Sequence, residues 1–261
     1  MKIDLTGKHA LVGGSSKGIG EGIARELARS GASVTLMARS EDKLNNLLHQ
    51  LEKRPGQQHR YICTDMADLE RYKKDIREFV KSYPVDILVN NTPGPPPGFV
   101  TEVNDEDYGT AFDLLFRTIC FTTMEVVPHM KEKGFGRIIN VTSVTVKEPK
   151  PELVLSNTIR ASIITWSKSL SQELGPHGIT VNSILTGYFD TERLEEVNRK
   201  KSERSGKSMV TLQKEMADQN SLHRIGEPRE YGYLVSFLAS DKAAYLTGTA
   251  IPLDGGYLKG V

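Results

Sequence analysis

The stretch Gly13-Gly14-Ser15-Ser16-Lys17-Gly18-Ile19-Gly20 lies between a short apolar run, His9-Ala10-Leu11-Val12, and a series Ile19, Ile23, Leu27 and Ala28 at helical spacing. The run reads as a buried strand and the series as an amphipathic helix, which places the glycines in a strand-to-helix turn. Without Cβ atoms, Gly14, Gly18 and Gly20 let the main chain turn tightly and approach a ligand. The helix start aims unpaired N–H groups and a partial positive charge at the same point. Such a turn is a phosphate cradle, and it predicts dinucleotide binding through Gly14, Ser16, Lys17, Gly18, Ile19 and Gly20. A glycine cluster also occurs in ordinary loops, so the reading rests on its surroundings.

Working outward, strand-like runs recur at Ser33–Met37, Arg60–Cys63, Ile87–Val89, Arg137–Val141, Thr180–Leu185 and Ala250–Leu253, with helical patterns in most intervals. Such alternation predicts a parallel sheet covered on both faces, and right-handed crossovers make a doubly wound α/β sheet of about seven strands the economical solution. A chain of 261 residues, 38% hydrophobic, can bury the core of one such Rossmann-type domain. Two segments break the rhythm, both expected at the carboxyl ends of strands. The stiff loop Thr92-Pro93-Gly94-Pro95-Pro96-Pro97-Gly98 predicts a rigid pocket edge. The charged stretch from about 190 to 220, with Glu192, Arg193, Arg199, Lys200, Lys201 and Arg204, predicts a mobile, mostly solvated helical insertion, either a substrate lid or a plain solvated face.

Charge and cysteine content exclude several classes. The 34 basic and 33 acidic residues leave a net charge of +1, with no general attraction for nucleic acid or a membrane surface. No segment approaches the ~18 uninterrupted apolar residues of a membrane span, and the first residues lack an apolar core, so the expected location is the cytoplasm. Cys63 and Cys120 lie in apolar sequence surroundings without metal-ligand spacing and are expected as reduced core residues; no metal site is expected.

The second strand ends Leu36-Met37-Ala38-Arg39-Ser40, where a dinucleotide fold reads the adenosine ribose. An acidic residue there would select NAD. Ala38 cannot, whereas Arg39 and Ser40 can grip a 2′-phosphate and Lys17 can add a second positive charge, so the expected cofactor is NADP(H).

Further segments complete the pattern: Cys63-Thr64-Asp65-Met66, Val85-Asp86-Ile87-Leu88-Val89-Asn90-Asn91, Gly136-Arg137-Ile138-Ile139-Asn140-Val141-Thr142-Ser143, Thr186-Gly187-Tyr188-Phe189-Asp190-Thr191, and Leu246-Thr247-Gly248 with Leu253-Asp254-Gly255-Gly256. With the glycine turn, they resemble the short-chain dehydrogenase/reductase family over nearly the whole chain. The resemblance implies that Asp65 meets the adenine amine, the Met66 backbone meets the ring, and Asn91 lies beside the adenine-side ribose. It places the nicotinamide amide on Gly187 to Thr191, Phe189 included. It also implies a homotetramer or homodimer through paired long helices and the segment Ala250–Leu258.

The departures from the family fall on its chemistry. Relatives use a serine, a tyrosine thirteen residues later, a lysine four beyond it and an asparagine on an earlier helix. Ser143 matches the serine, but Ser156 holds the tyrosine position, Arg160 the lysine position and Leu115 the asparagine position. A divergent subgroup related to 3-oxoacyl-carrier-protein reductases resembles this chain in its proline-rich loop and its Ser-Asn-x-x-Arg segment; even so, Gly13 replaces the usual threonine and Pro93 a usual glycine. A phenol of pKa ~10, lowered by a neighbouring ammonium, exchanges protons with a carbonyl oxygen near neutral pH, whereas a serine hydroxyl is far weaker as an acid. General acid catalysis is worth ~10²- to 10⁴-fold, much of which Ser156 forfeits. Arg160 can still hold the nicotinamide ribose and stabilise an oxyanion, but it cannot relay a proton.

Tyr188 reads as an aromatic pocket wall or as a substitute acid, and His129 and His177 as structural. Two functions follow. One is an NADP(H)-dependent oxidoreductase acting on a CH–OH/C=O group, a carbonyl or 3-oxoacyl-type reductase, with Ser143, Ser156 and Arg160 as catalytic groups. The other is a non-catalytic NADP-binding sensor or assembly partner.

Overall fold

Each of the seven strand-like runs forms a strand; in the five central ones the reason is apolar residues buried on both sides of the sheet, whereas the two edge strands have no fully buried residue. The computed structural model describes residues 2–260, with the side chains of Lys200 and Arg204 outside the described residues. The strands are β1 (His9–Gly13), β2 (Ser33–Ala38), β3 (Arg60–Cys63), β4 (Ile87–Asn90), β5 (Gly136–Val141), β6 (Ile179–Thr186) and β7 (Ala250–Leu253). They form one sheet in the order β3-β2-β1-β4-β5-β6-β7, parallel at every pairing. The chain winds outward from β1 to β3, returns to β4 and winds the other way to β7. The order therefore reverses between β1 and β4, and the crevice outside their carboxyl ends is where such a sheet takes a ligand.

The helices are α1 (Gly18–Arg29), α2 (Glu41–Gln50), α3 (Leu69–Ser82), α4 (Asp105–Phe112), α5 (Thr118–Lys133), α6 (Val154–Leu174), α7 (Glu192–Ser205), α8 (Met209–Ala217) and α9 (Pro228–Ala239). A π-helical turn, Asp113–Arg117, joins α4 to α5. Strand side chains alternate between faces. Val12, Val34 and Val89 meet Ile23 and Leu27 of α1 and Val235 and Leu238 of α9 on one side. Leu11, Leu88 and Ile138 meet Ile76 of α3, Met130 of α5 and Leu170 of α6 on the other. A buried amide chain fixes α6 against the sheet: Asn90 Nδ2 donates to Asn140 Oδ1 at 2.8 Å, and Asn140 Nδ2 donates to Ser167 Oγ at 2.8 Å.

The expectation for the two cysteines needs correction. Cys63 is exposed and Cys120 half-buried, so neither belongs to the core. Cys63 closes β3, the edge strand, whose short stretch has neighbours on one side only. Burial pushes the Cys120 thiol up to about 12, and it is a poor nucleophile at neutral pH. The charged stretch is helical and mostly exposed, as expected, and it resolves into two helices, α7 and α8, with Asn198, Leu212 and Met216 turned inward. Among the described residues no helix is long and apolar enough to cross a membrane, and no group of three His, Cys, Asp or Glu side chains gathers as a metal site.

Candidate active site

The glycine turn sits at the crevice and is held from two sides. Gly14 and Gly18 have φ of +55° and +58°, left-handed values that disfavour a side chain. A Cβ at Gly20 would lie 2.3 Å from the Gly14 carbonyl oxygen, so that turn of α1 closes onto the loop only as glycine. The Met37 N–H of β2 donates to Ser15 Oγ at 2.8 Å, and Asn91 Nδ2, just past β4, donates to the Gly13 carbonyl at 3.0 Å. Helix α1 begins with no side-chain cap, so its first N–H groups beside Ser16, Gly18 and Ile19 are available to an anion.

At the end of β2, Arg39 is exposed and Ser40 heads α2. Lys17 Nζ lies 2.5 Å from Glu192 Oε2 at the start of α7, and Lys43 Nζ lies 3.6 Å from the same oxygen. These cations draw the Glu192 carboxyl below the usual range, its hydrogen bond to Lys17 being the largest cause. Lys43 escaped the sequence reading; its place in the first turn of α2, three residues beyond Ser40, was the available signal. Asp65 Oδ1 accepts from Ala67 N at 3.0 Å, and Met66 is buried with its methyl against Gly13.

The chemical residues gather where β5 and β6 end. Val141 pairs with Ile184, and the Thr142 N–H donates to the Ile184 carbonyl at 2.9 Å, which brings Ser143 level with Thr186. Ser143 Oγ accepts from Thr145 N at 3.2 Å and from Thr145 Oγ1 at 3.0 Å, so its own proton is free to donate. Ser156 and Arg160 stand one turn apart near the start of α6, Ser156 half-buried and Arg160 only 7% exposed. Arg160 Nη1 donates to the Val141 carbonyl at 2.8 Å, and no carboxylate pairs with it among the described residues. Burial pushes its pKa down to about 10, which leaves it charged at neutral pH. Leu115, fully buried in the π-helical turn, packs against Val154, Leu155 and Ile159 of α6 and offers no polar side chain.

Beyond β6, Gly187 N donates to the Leu253 carbonyl at 3.1 Å, and a Cβ there would lie 2.6 Å from Asp254 Cα. Phe189 bridges Gly226 in parallel through the Tyr188 carbonyl and the Asp190 N–H. The Phe189 peptide groups themselves therefore face the opposite way. Thr191 caps α7 by accepting from Leu194 N at 3.2 Å, and its methyl lies 3.1 Å from where a Gly18 Cβ would be, so the start of α7 rests on the glycine turn. Tyr188 OH accepts from Lys150 Nζ and donates to Gln219 Oε1 at 3.0 Å. The proline loop joins the chain before α6 through Gly98 N, which donates to the Glu152 carbonyl at 2.9 Å. Thr92 Oγ1, Asn157 Oδ1 and both amide atoms of Asn198 are buried without partners among the described residues. Sequence reasoning singled out none of these, nor Lys150. His129 Nε2 lies 3.4 Å from Asp86 Oδ1 beside Lys133, and His177 ends a 3₁₀ turn before Gly178, so both serve the fold.

Comparison with known proteins agrees with this architecture. The family model described as Enoyl-(Acyl carrier protein) reductase matches residues 14–258. Oxidoreductase UcpA of Salmonella typhimurium is 37% identical, over 97% of this chain and 95% of that protein. NADPH-dependent reductase BacG of Bacillus subtilis is 30% identical, over 98% of this chain and 100% of that protein. The solved structure of L-sorbose reductase from Gluconobacter frateurii, complexed with NADPH and L-sorbose, superposes with a TM-score of 0.93 at 29% identity, covering 100% of both chains. Fold, crevice and matched length lead to one assignment: the chain belongs to the short-chain dehydrogenase/reductase family.

Proposed function

We propose that the protein is an NADP(H)-dependent oxidoreductase that reduces a carbonyl compound, 3-oxoacyl compounds among the candidates, in an active site where Ser143, Ser156 and Arg160 stand for the usual serine, tyrosine and lysine. The observation that carries this reading is Arg160: a guanidinium 7% exposed, at the ends of β5 and β6, with no carboxylate to neutralise it. A buried unpaired charge is costly, and a ligand that supplies oxygen acceptors offsets the cost.

The residues suit NADP(H). The glycine cradle has no room for a Cβ at Gly20, the start of α1 is uncapped, and Thr92 Oγ1 is an orphaned buried group next to Asn91. Gly14, Ser16, Gly18, Ile19 and Gly20 would hold the diphosphate. Lys17, Arg39 and Ser40, with Lys43, would hold the 2′-phosphate; Asp65 and Met66 the adenine; Asn91 and Arg160 the two riboses; and Gly187, Phe189 and Thr191 the nicotinamide amide. When bound, the reduced cofactor supplies the hydride. The protein's share is placement and electrostatics. Ser143, its hydroxyl proton unspent, donates to the substrate oxygen; Ser156 adds a second hydroxyl; and the fixed charge of Arg160 offsets the negative charge that develops on that oxygen. Similarity to the NADPH-dependent reductases supports the cofactor, and the L-sorbose held by the Gluconobacter frateurii reductase supports a small carbonyl compound as substrate.

Stopped-flow absorbance at 340 nm with a panel of carbonyl compounds tests this. Oxidation of NADPH by at least one 3-oxoacyl or related carbonyl, abolished in Ser143→Ala, is the expected outcome. Tight NADPH binding without turnover by any carbonyl would favour the non-catalytic reading.

A further inference from the structure

Resting on that reading, one gap in it is the source of the proton, because neither Ser156 nor Arg160 can act as a general acid near neutral pH. The missing pair of groups, a phenol hydrogen-bonded to an ammonium, exists elsewhere at the same strand ends. Lys150 comes from the loop after β5 and Tyr188 from the segment after β6, and Lys150 Nζ donates to Tyr188 OH. The β5–β6 register puts Ser143 level with Thr186, so Tyr188 stands two residues past the level of the substrate-binding serine, between Gly187 and Phe189.

The pair is firmly built. The Lys150 carbonyl accepts from Asn157 Nδ2 at 2.7 Å, which ties Lys150 to the residue beside Ser156. The Lys150 ammonium also lies over the rings of Tyr188 and Tyr257, at 4.6 and 5.3 Å from their centroids, and the two rings meet edge to face at 5.6 Å. Gln219, from the turn after α8, accepts the phenol's proton at 3.0 Å. Asn157 Oδ1 is buried and unpartnered alongside. The charged and titratable groups around the phenol are Lys150, Glu152 and Tyr257; the Lys259 ammonium donates to the backbone carbonyl of Gln219 at 3.4 Å, while the Lys259 backbone N–H donates to Glu148 Oε1 at 2.9 Å. Burial is the main cause that raises the phenol's pKa, with Glu152 acting the same way. That makes the resting phenol a weaker acid than a free tyrosine, so its transfer is driven by the alkoxide that hydride addition creates on the substrate oxygen, a much stronger base than a phenolate, with the Lys150 ammonium at hand to stabilise the phenolate.

We propose that Tyr188 is the proton donor of the reduction and that Lys150 is its positioning residue, a phenol–ammonium pair built from two loops instead of one helix. The substrate carbonyl carbon gains a hydride from the reduced nicotinamide as the C=O π pair moves onto oxygen. The Tyr188 O–H bond breaks and the alcohol O–H bond forms. The phenolate then takes a proton from the Lys150 ammonium, and solvent returns one to the amine. The carbonyl is reduced to an alcohol, NADPH is oxidised to NADP⁺, and charge and protons balance.

The test uses the full chain and three variants, Tyr188→Phe, Lys150→Met and Lys150→Arg. With a carbonyl that the wild type reduces, Tyr188→Phe is expected to lower kcat by ~10²-fold or more while NADPH affinity, read by nucleotide fluorescence, is unchanged. Lys150→Met lowers kcat and Lys150→Arg restores part of it. Independently of turnover, carbon-13 NMR of ζ-labelled tyrosine in the cofactor-free protein is expected to show the Tyr188 phenol ionising at higher pH in Lys150→Met than in the wild type. If Tyr188→Phe does not fold, Tyr188→His serves: a donor role moves the pH profile of kcat into the imidazole range near ~6.5, whereas a wall role leaves it in place. A wild type that turns over together with a Tyr188→Phe variant within three-fold of it overturns the donor and leaves the oxidoreductase reading intact. A wild type that reduces no carbonyl overturns both, and an unmoved Tyr188 ionisation in Lys150→Met removes Lys150 from the scheme.

Discussion

A guanidinium shut away from water without a carboxylate costs folding stability, and Arg160 is held against that cost by a single carbonyl, that of Val141. Its value must then lie in what it binds. Replacing it with a shape-filling neutral chain, Arg160→Met, is expected to raise the melting temperature of the cofactor-free protein by a few degrees and to weaken NADPH binding at least ten-fold, measured by thermal unfolding and fluorescence titration. A lower melting temperature would show that the charge is paid for within the fold itself. The same scale shows what the sequence could and could not reveal. Ser156 and Arg160 were legible because one helix turn fixes their four-residue step, and Ser143 because the family resemblance places it at the end of a strand thirteen residues before Ser156. Lys150 was not, because a loop has no period and its partner Tyr188 lies 38 residues away. Cys63 misled because apolar neighbours suggest a core, whereas only the strand order reveals that β3 is an edge.

At the scale of elements, the strands were legible to within a residue or so at each end, since a parallel sheet buried on both faces demands short uninterrupted apolar runs between helices. The insertion between β6 and α9 was harder. Charge dominates the sequence of α7, and nothing local announces that Asn198 turns inward or that Glu192 reaches the glycine turn 175 residues earlier. That reach has a consequence for binding. Glu192 places its carboxylate on Lys17 and Lys43, two of the cations assigned to the 2′-phosphate, so carboxylate and phosphate compete for them. The ions are about half exposed, and an exposed pair is worth about 0.2–1 kcal/mol, or up to roughly five-fold in affinity. Glu192→Gln is therefore expected to tighten NADPH two- to five-fold, to leave NADH unchanged, and to show the difference best at low salt, where screening is weakest. Fluorescence titration with both nucleotides measures it; equal effects on NADPH and NADH would remove Glu192 from competition with the phosphate.

For the whole molecule, the reversal of winding between β1 and β4 divides the assigned nucleotide contacts between two halves of the sheet. Gly14 to Gly20, Arg39, Ser40 and Asp65 belong to the half that ends in β3; Asn91, Ser143, Arg160 and Gly187 to Thr191 belong to the half that ends in β7. A ligand that spans both halves stabilises the folded chain as one unit, by about 2.7 kcal/mol at one hundred times its dissociation constant. For a protein of this size, roughly 2–4 °C of melting temperature accompanies each kcal/mol, so saturating NADPH is expected to raise the transition by about 5–10 °C. NADH at the same concentration lacks the 2′-phosphate and its cations, and its shift is expected to be at most half as large. Gly20→Ala places a Cβ 2.3 Å from the Gly14 carbonyl and is expected to abolish both shifts. Differential scanning calorimetry of the two proteins with the two nucleotides separates the contributions. A shift common to both nucleotides would place the energy in the diphosphate cradle alone and strip Lys17, Arg39 and Lys43 of a selective role. A shift that survives Gly20→Ala would move the nucleotide away from the turn.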